Sequence, residues 1–505
     1  MTEQEKIEAL KSINFGDLDA NADPNLEKYF MDNNFWHNII ENPVYYVTGK
    51  KGTGKSAIYQ FLFQNANEKG SMFSNRDFGD FPFQSLIQLS DDEFSQPNQY
   101  QSIWQHVIID ILIDLIIKNQ SADRNDYYKE LKSYYDICIG DTINLHKDSI
   151  TRVKKSNFSL LLSSHGVSPS LQQENEFAQQ IGSGNGNISA INTRLFDLLI
   201  NYLITRNDDT QYIIQFDRLD DTYNQYTNMD SYFHVIISLL KIVYKINNSF
   251  RLKHINNVKI IIYLRSDIMN EIGKRDSESA RWDDFTYKIN WAIINQNDWK
   301  NSALLQMVNK RIDASLQNGV AFSDIFDTIK IDLRNIDYNG RPSQNRQDVF
   351  KYMIEKTFHR PRDVIQFLKY IQKEVSDSYE LQKIDFRAIK NAEKQFTSWL
   401  LNSELANEIN PIIQDINELY ELLRKLGGRP FSYTKYLENY NLIIKNNTFS
   451  DIEFARYLYE VGIFMNVNRK RNGDLEFKSI IRNAGSFNHN MQIMIHQGVW
   501  KGLQV

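Results

Sequence analysis

Eight residues, Gly49-Lys50-Lys51-Gly52-Thr53-Gly54-Lys55-Ser56, carry the spacing GxxxxGK[ST] between an apolar run at Val44–Val47 and a helical pattern that begins at Ser56. Each residue type has a chemical reason. The glycines let successive backbone N–H groups turn inward on an anion, and the N-terminus of the following helix adds positive potential. Lys55 supplies a cation for the β- and γ-phosphates of a nucleotide, and the Ser56 hydroxyl is a hard oxygen ligand for Mg2+. A strand before and a helix after separate this Walker A pattern from a merely glycine-rich turn. Gly49, Gly52, Thr53, Gly54, Lys55, Ser56 and the adjoining Ala57 are therefore the expected contacts of ATP and Mg2+.

Such a site needs a carboxylate opposite the serine. The run "YIIQFDRLDD" supplies one: Tyr212–Phe216 reads as a buried strand, with Asp217 at its end as the second Mg2+ ligand. Asp220 and Asp221 follow one turn later, where a carboxylate orients or deprotonates the attacking water, and the sequence does not choose between them. Alone, these three would be ordinary loop carboxylates at a helix start. The Walker A companion gives them the catalytic reading.

The elements that must hold these groups follow from the apolar patterning. A chain of 505 residues with 42% hydrophobic and 24% charged residues has enough apolar material for more than one core. Its net charge of −5 gives no global attraction to nucleic acid or to an acidic membrane. One cysteine, Cys138, excludes an intramolecular disulfide and suits a reducing, cytoplasmic setting. The run "VIIDILIDLII" is broken by Asp110 and Asp114 and reads as a buried helix, and no membrane partner is expected. Continuous β-branched runs at "QYIIQFD" and "NVKIIIYLR", separated by helical patterns, imply an α/β parallel sheet covered on both faces. Four parts are expected: residues 1–40 as a segment packing on the nucleotide site, 41–288 as the core with a polar, flexible insertion at about 156–193, 289–403 as a helical lid, and 404–505 as a C-terminal domain. Trp104 and Trp299 read as core, and His496, with no companion at metal spacing, as a satisfied polar contact.

With "GKKGTGKSA", "FDRLDD", "LRSDI", "RPRDVIQF", "NFGDLDA", "LYEVGIF" and "IHQGVWKGL" in view, the chain resembles stand-alone bacterial P-loop ATPases of the STAND and AAA+ side, NACHT- and KAP-like, with a winged-helix-like C-terminal unit. The resemblance implies an ASCE/AAA+-like P-loop NTPase core, a helical lid, and a role met among anti-phage defence genes. It also assigns Arg265, at the end of "VKIIIYLR", to the position that reads the γ-phosphate, and Arg360 and Arg362, around Pro361, to a lid arginine. A proline at a first helical turn explains "HRPRD" equally well as a plain helix start. Arg218 departs from the family, which carries a small or acidic residue after the first aspartate.

Helical patterns at "IIQDINELYELLRKL", "FSYTKYLENYNLI" and "SDIEFARYLYEVGI", followed by a hairpin signal at Asn472-Gly473, are the ingredients of a winged helix. Arg469, Lys470 and Arg471 at the hairpin tip either solvate a turn on a protein-contact module or meet DNA phosphates. Two functions follow. The first is a regulatory ATPase that controls a separately encoded protein effector, with assembly into a homo-oligomer through an arginine such as Arg275 or Arg281. The second is a DNA-associated AAA+ protein of the initiator or loader kind. A small-molecule kinase is a more distant third.

Overall fold

The computed structural model describes residues 1–78, 98, 100–139, 188–219, 229–294, 298–330, 346–377, 383–409, 413, 415–445, 449–469, 475–482 and 485–504. The chain divides into two compact units. Asp32–Lys51 with Lys55–Ile289 forms a sheet unit, and Met1–Met31, Gly52–Gly54 and Asn290–Val505 form a helical unit.

In the sheet unit, β1 (Tyr46–Gly49), β2 (Ser71–Asp77), β3 (Gln211–Asp217), β4 (Val258–Arg265) and β5 (Thr286–Lys288) lie parallel in the order β2-β3-β4-β1-β5. Every residue of β4 is buried, as a central parallel strand with helices on both faces requires. This is the expected α/β P-loop core of the AAA+-like kind: β4 stands between the strand that feeds the phosphate loop and β3, whose last residue is Asp217.

Helix Gln101–Lys118 contains the apolar run and is buried on all sides, which explains why its pattern has no polar face. Three of its buried polar side chains find partners across the core. Asp110 accepts from the Tyr134 hydroxyl at 2.8 Å, His106 Nδ1 meets Asn192 Oδ1 at 2.9 Å, and Trp104 Nε1 donates to the Val235 carbonyl at 3.0 Å. Most of the polar insertion lies outside the described residues. Its last residues belong to helix Ile188–Thr205, because Ile191, Leu195 and Leu199 recur at helical spacing and enter the core.

A lysine sits near the start of the central strand. Lys259 of β4 donates to the carbonyls of Ile39 at 3.0 Å, of Asn42 at 2.5 Å and of Ile40, and so closes the C-terminal end of the short helix Trp36–Glu41. Burial pushes its ammonium down to about 7, against the pull of the Glu41 carboxylate. Lys259→Met leaves those carbonyls without their donor and is expected to destabilise the protein by about 2 kcal/mol. A folded value below the unfolded one means that wild-type stability rises with pH between about 7 and 10. Denaturant titrations across that range should show the slope in the wild type and lose its Lys259 part in the variant.

The helical unit has one continuous core. It runs through helices Glu3–Ser12, Ala303–Leu316, Val349–Lys356, Pro361–Asp377 and Phe386–Trp399, and on into Ile416–Leu426, Tyr433–Ile443 and Asp451–Val461. Starts are capped as the sequence indicates: Ser302, Asp348, Asp385, Asp415 and Ser432 each accept a backbone N–H of their own first turn. Gly462, at φ 97°, ends helix Asp451–Val461 in the left-handed conformation that a side chain resists. Strands Gln492–Ile495, Phe464–Arg469 and Leu475–Lys478 then form an antiparallel sheet, with Arg469 opposite Leu475 at the mouth of the expected hairpin. Lys470 and Arg471 lie outside the described residues.

The opening segment is shared between the units. Residues 1–31 are tied into the helical unit: Gln372 Nε2 donates to the carbonyls of Leu10 at 2.8 Å and Ile13 at 2.7 Å, and Arg311 Nη1 to that of Phe15 at 2.9 Å. Residues 32–40 belong to the sheet unit.

Candidate functional site

Four residues end the strands of the sheet unit on one edge: Gly49 leads into the phosphate loop, Asp77 ends β2, Asp217 ends β3 and Arg265 ends β4. The carboxyl edge of a parallel sheet is where open α/β folds take ligands, because the loops there are free to vary. Register sharpens the placement. Asp77 pairs with Asp217, and Arg265 pairs with Gly49, so the arginine is the direct neighbour of the first residue of the loop.

The loop has the conformation its glycines allow. Gly52 and Gly54 take φ values of 77° and 93°, a region a residue with a Cβ enters only under strain. Helix Lys55–Gln64 starts one residue earlier than its pattern suggests. Lys55 is buried, and its Nζ donates to the carbonyls of Gly49 at 3.0 Å and Lys50 at 3.2 Å. The cation is thus folded back on the loop that carries it.

Asp217 faces the phosphate-loop helix, and the polar cluster beneath it explains why. Gln215, two residues earlier on the same face of β3, donates from Nε2 to the Tyr59 carbonyl at 3.3 Å and to Asn75 Oδ1 at 2.9 Å, while its Oε1 accepts from the Tyr263 hydroxyl at 2.5 Å. Asp217 lies two residues nearer the carboxyl edge than Gln215, about 6.6 Å along a strand. Ser56 lies three residues nearer that edge than Tyr59, about 4.5 Å along the helix. Ser56 and Asp217 therefore both lie toward the carboxyl edge from one anchored contact, and both carry hard oxygen donors of the kind Mg2+ takes. The residues fit the ion.

Arg218, the departure from the family pattern, has a structural role. It sits at φ 61°, where the chain turns out of β3, and its Nη1 donates to Asp77 Oδ2 at 2.9 Å across the strand ends. Asp220 and Asp221, the two candidate bases, lie outside the described residues. Arg265 is buried and gives its fork to Asp267, from Nε to Oδ1 at 3.1 Å and from Nη2 to Oδ2 at 2.7 Å. Burial works against the Asp267 charge, but the Arg265 guanidinium, with a smaller pull from Lys55, holds the carboxyl below its usual range. Arg275, a candidate for reaching a neighbouring subunit, pairs with Asp230 at 2.6 Å and lies 4.2 Å from the ring centre of Phe233; Arg281 is exposed.

The lid arginines belong to the helical unit. Arg360 is buried beside Asp363, Glu404 and Glu408, whereas Arg362 is more open and reaches Glu404 at 3.2 Å. The backbone N–H of Arg362 donates to the Gly52 carbonyl at 3.3 Å, and Trp291 Nε1 donates to that of Thr53 at 2.9 Å. A Cβ added to Gly52 would stand 3.1 Å from that of Arg362, a second reason for glycine at this position. Trp104 is core and Trp299 packs against the core of its unit, while His496 accepts the Gly498 N–H at 3.1 Å on Nδ1. Among the described residues no cluster of three or more metal-ligating side chains occurs, and no helix is long and apolar enough to cross a membrane.

Sequence reasoning assigned no role to Asp77 or Asp267. Asp77 carries no motif at all, and only its register with Asp217 reveals it. Asp267 stands inside "LRSDI", two residues after the arginine, and that spacing was the available signal.

Residues 302–404 match the family described as the FunZ-associated C-terminal helical domain, a span that takes in helices Ala303–Leu316 through Phe386–Trp399. No curated protein is significantly similar to the chain. Among solved structures, the crystal structure of Cdc6p from Pyrobaculum aerophilum overlaps 93% of this chain and 90% of its own at 12% identity, with a TM-score of 0.30. A likeness that slight bears no weight, and the P-loop assignment stands on strand order and register.

Proposed function

We infer that the protein is a nucleotide-dependent regulatory ATPase, in which ATP–Mg2+ binding and hydrolysis on the sheet unit switch the state of a separately encoded protein effector. The observation that carries this reading is the convergence of the Gly49–Ser56 loop, Asp217 and Arg265 at one sheet edge, with Arg265 in register with Gly49. Lys55 would neutralise the phosphates, Ser56 and Asp217 would hold Mg2+, Arg265 and a lid arginine would read the γ-phosphate, and Asp220 or Asp221 would orient water. Bound Mg2+ would polarise the phosphate oxygens and offset the charge that develops on them. The match of residues 302–404 to a domain described as C-terminal and helical supports a helical module that accompanies the core. The defence setting rests on the family resemblance, the cytoplasmic location on the single cysteine, and a homo-oligomeric state on an arginine such as Arg275 or Arg281 reaching a neighbour. Lys55→Ala and Asp217→Ala are each expected to abolish ATP hydrolysis by the purified protein, and undiminished turnover in both would sink the assignment.

The initiator or loader reading keeps one observation in its favour. Arg469 is exposed at the mouth of an antiparallel hairpin that follows three helices, as in a winged helix. It requires duplex binding that weakens steeply with salt and is lost when Arg469, Lys470 and Arg471 are neutralised.

A further inference from the structure

Arg265 stands beside Gly49 at the foot of the phosphate loop, and its Nε and Nη2 donors are turned to the acid two residues on in its own chain. Two parallel bonds, at 3.1 Å and 2.7 Å, join its guanidinium to both oxygens of Asp267. Asp267 occupies the first turn of helix Ser266–Arg275, so the acid is held at the bend by which β4 becomes that helix. Lys55, the other cation that a terminal phosphate would attract, is engaged by two loop carbonyls.

We propose that Asp267 is an internal stand-in for the γ-phosphate: it holds Arg265 while no nucleoside triphosphate is bound, and a triphosphate gains Arg265 only by displacing it. The proposal rests on the ATPase reading above and adds to it the device that sets the affinity for ATP against that for ADP. Planar guanidinium recognises a carboxylate and a phosphate by the same two-pronged geometry, so the two anions compete for one fork. ADP has no group to enter that competition. Asp267 is a positioning residue, because it acts on the nucleotide only through Arg265. The plainer account is that an acid in the first turn complements the helix dipole. That account does not explain a bidentate pair with the arginine, and it predicts no difference between ATP and ADP.

The test is calorimetric titration of the full-length protein with MgATP and with MgADP. Asp267→Asn is expected to tighten ATP by about tenfold, the worth of one charge-assisted pair, and to leave ADP within about twofold. In an Arg265→Ala background, Asp267→Asn should no longer change ATP affinity. Asp267→Ser keeps an oxygen in the first turn of the helix and should give the same shift, which covers the case in which the asparagine variant folds poorly. An unchanged ATP-to-ADP ratio in either variant, or weaker ATP binding because Asp267 preorganises the arginine, overturns the proposal. Wild-type protein that binds neither nucleotide overturns the ATPase reading itself, a separate and recognisable failure.

Discussion

Asp217→Asn is expected to leave ATP bound while hydrolysis falls by about a thousandfold, in the range that loss of one catalytic electrostatic group commonly costs. The substitution preserves shape. Asp217 is buried at the end of β3, and its backbone carbonyl, which accepts the Phe78 N–H at 3.0 Å, is untouched by the change. What disappears is the negative charge that Asp217 would offer a bound divalent cation. The phosphate loop, with Lys55 and the left-handed glycines, is intact, so nucleotide affinity should change far less than turnover. Single-turnover hydrolysis at saturating protein, alongside ATP titration with and without Mg2+, separates the two effects. Stability should hold or rise, because a buried carboxylate is costly to hold charged and an amide is not. A variant that loses turnover and stability together would mean that Asp217 serves the sheet rather than the ion.

The parts legible in sequence were those whose chemistry dictates local spacing. A phosphate loop must be glycine-rich between a strand and a helix, so the loop was readable at once. A central parallel strand must be apolar on both faces, so β3 and β4 were readable with their terminal Asp217 and Arg265. The buried helix Gln101–Lys118 declared itself by lacking a polar face. Pairings that the fold alone creates were not legible. Asp77 meets Arg218 because β2 and β3 share a register, and the two residues are 141 positions apart in sequence. Lys259 resembles an intruder in an apolar strand until its carbonyl partners on residues 39–42 are seen. The opening segment reads as one piece, yet its first 31 residues join helices that begin some 270 positions later. No local pattern carries that information, since an amphipathic helix records that it buries a face and not against what.

Arg360→Met is expected to destabilise the protein by about 3–5 kcal/mol, the cost of stranding buried carboxylates without their cation. Arg360 is 2% exposed, and Asp363, Glu404 and Glu408 around it are 0%, 5% and 7% exposed. Its Nε lies 3.1 Å from both Asp363 oxygens, and its Nη1 is 3.5 Å from Glu408. Burial opposes the arginine's charge, but Asp363, Glu408 and Glu404 together hold it more firmly protonated than usual. Burial already pushes Asp363 above the usual carboxylate range despite Arg360, so removing the cation raises it further. A folded value above the unfolded one favours folding at low pH and loses that favour as pH rises through it. The deficit of Arg360→Met should therefore be smaller at pH 5 than at pH 8, measured by urea denaturation at both. Arg362, 28% exposed at its side chain and bound to Glu404 alone among these acids, should cost less than about 1 kcal/mol on the same change. The pair thus divides the two roles that the sequence left joined in "RPRD". If Arg360→Met cost little stability, the buried network of Asp363, Glu404 and Glu408 would not be what this arginine holds together.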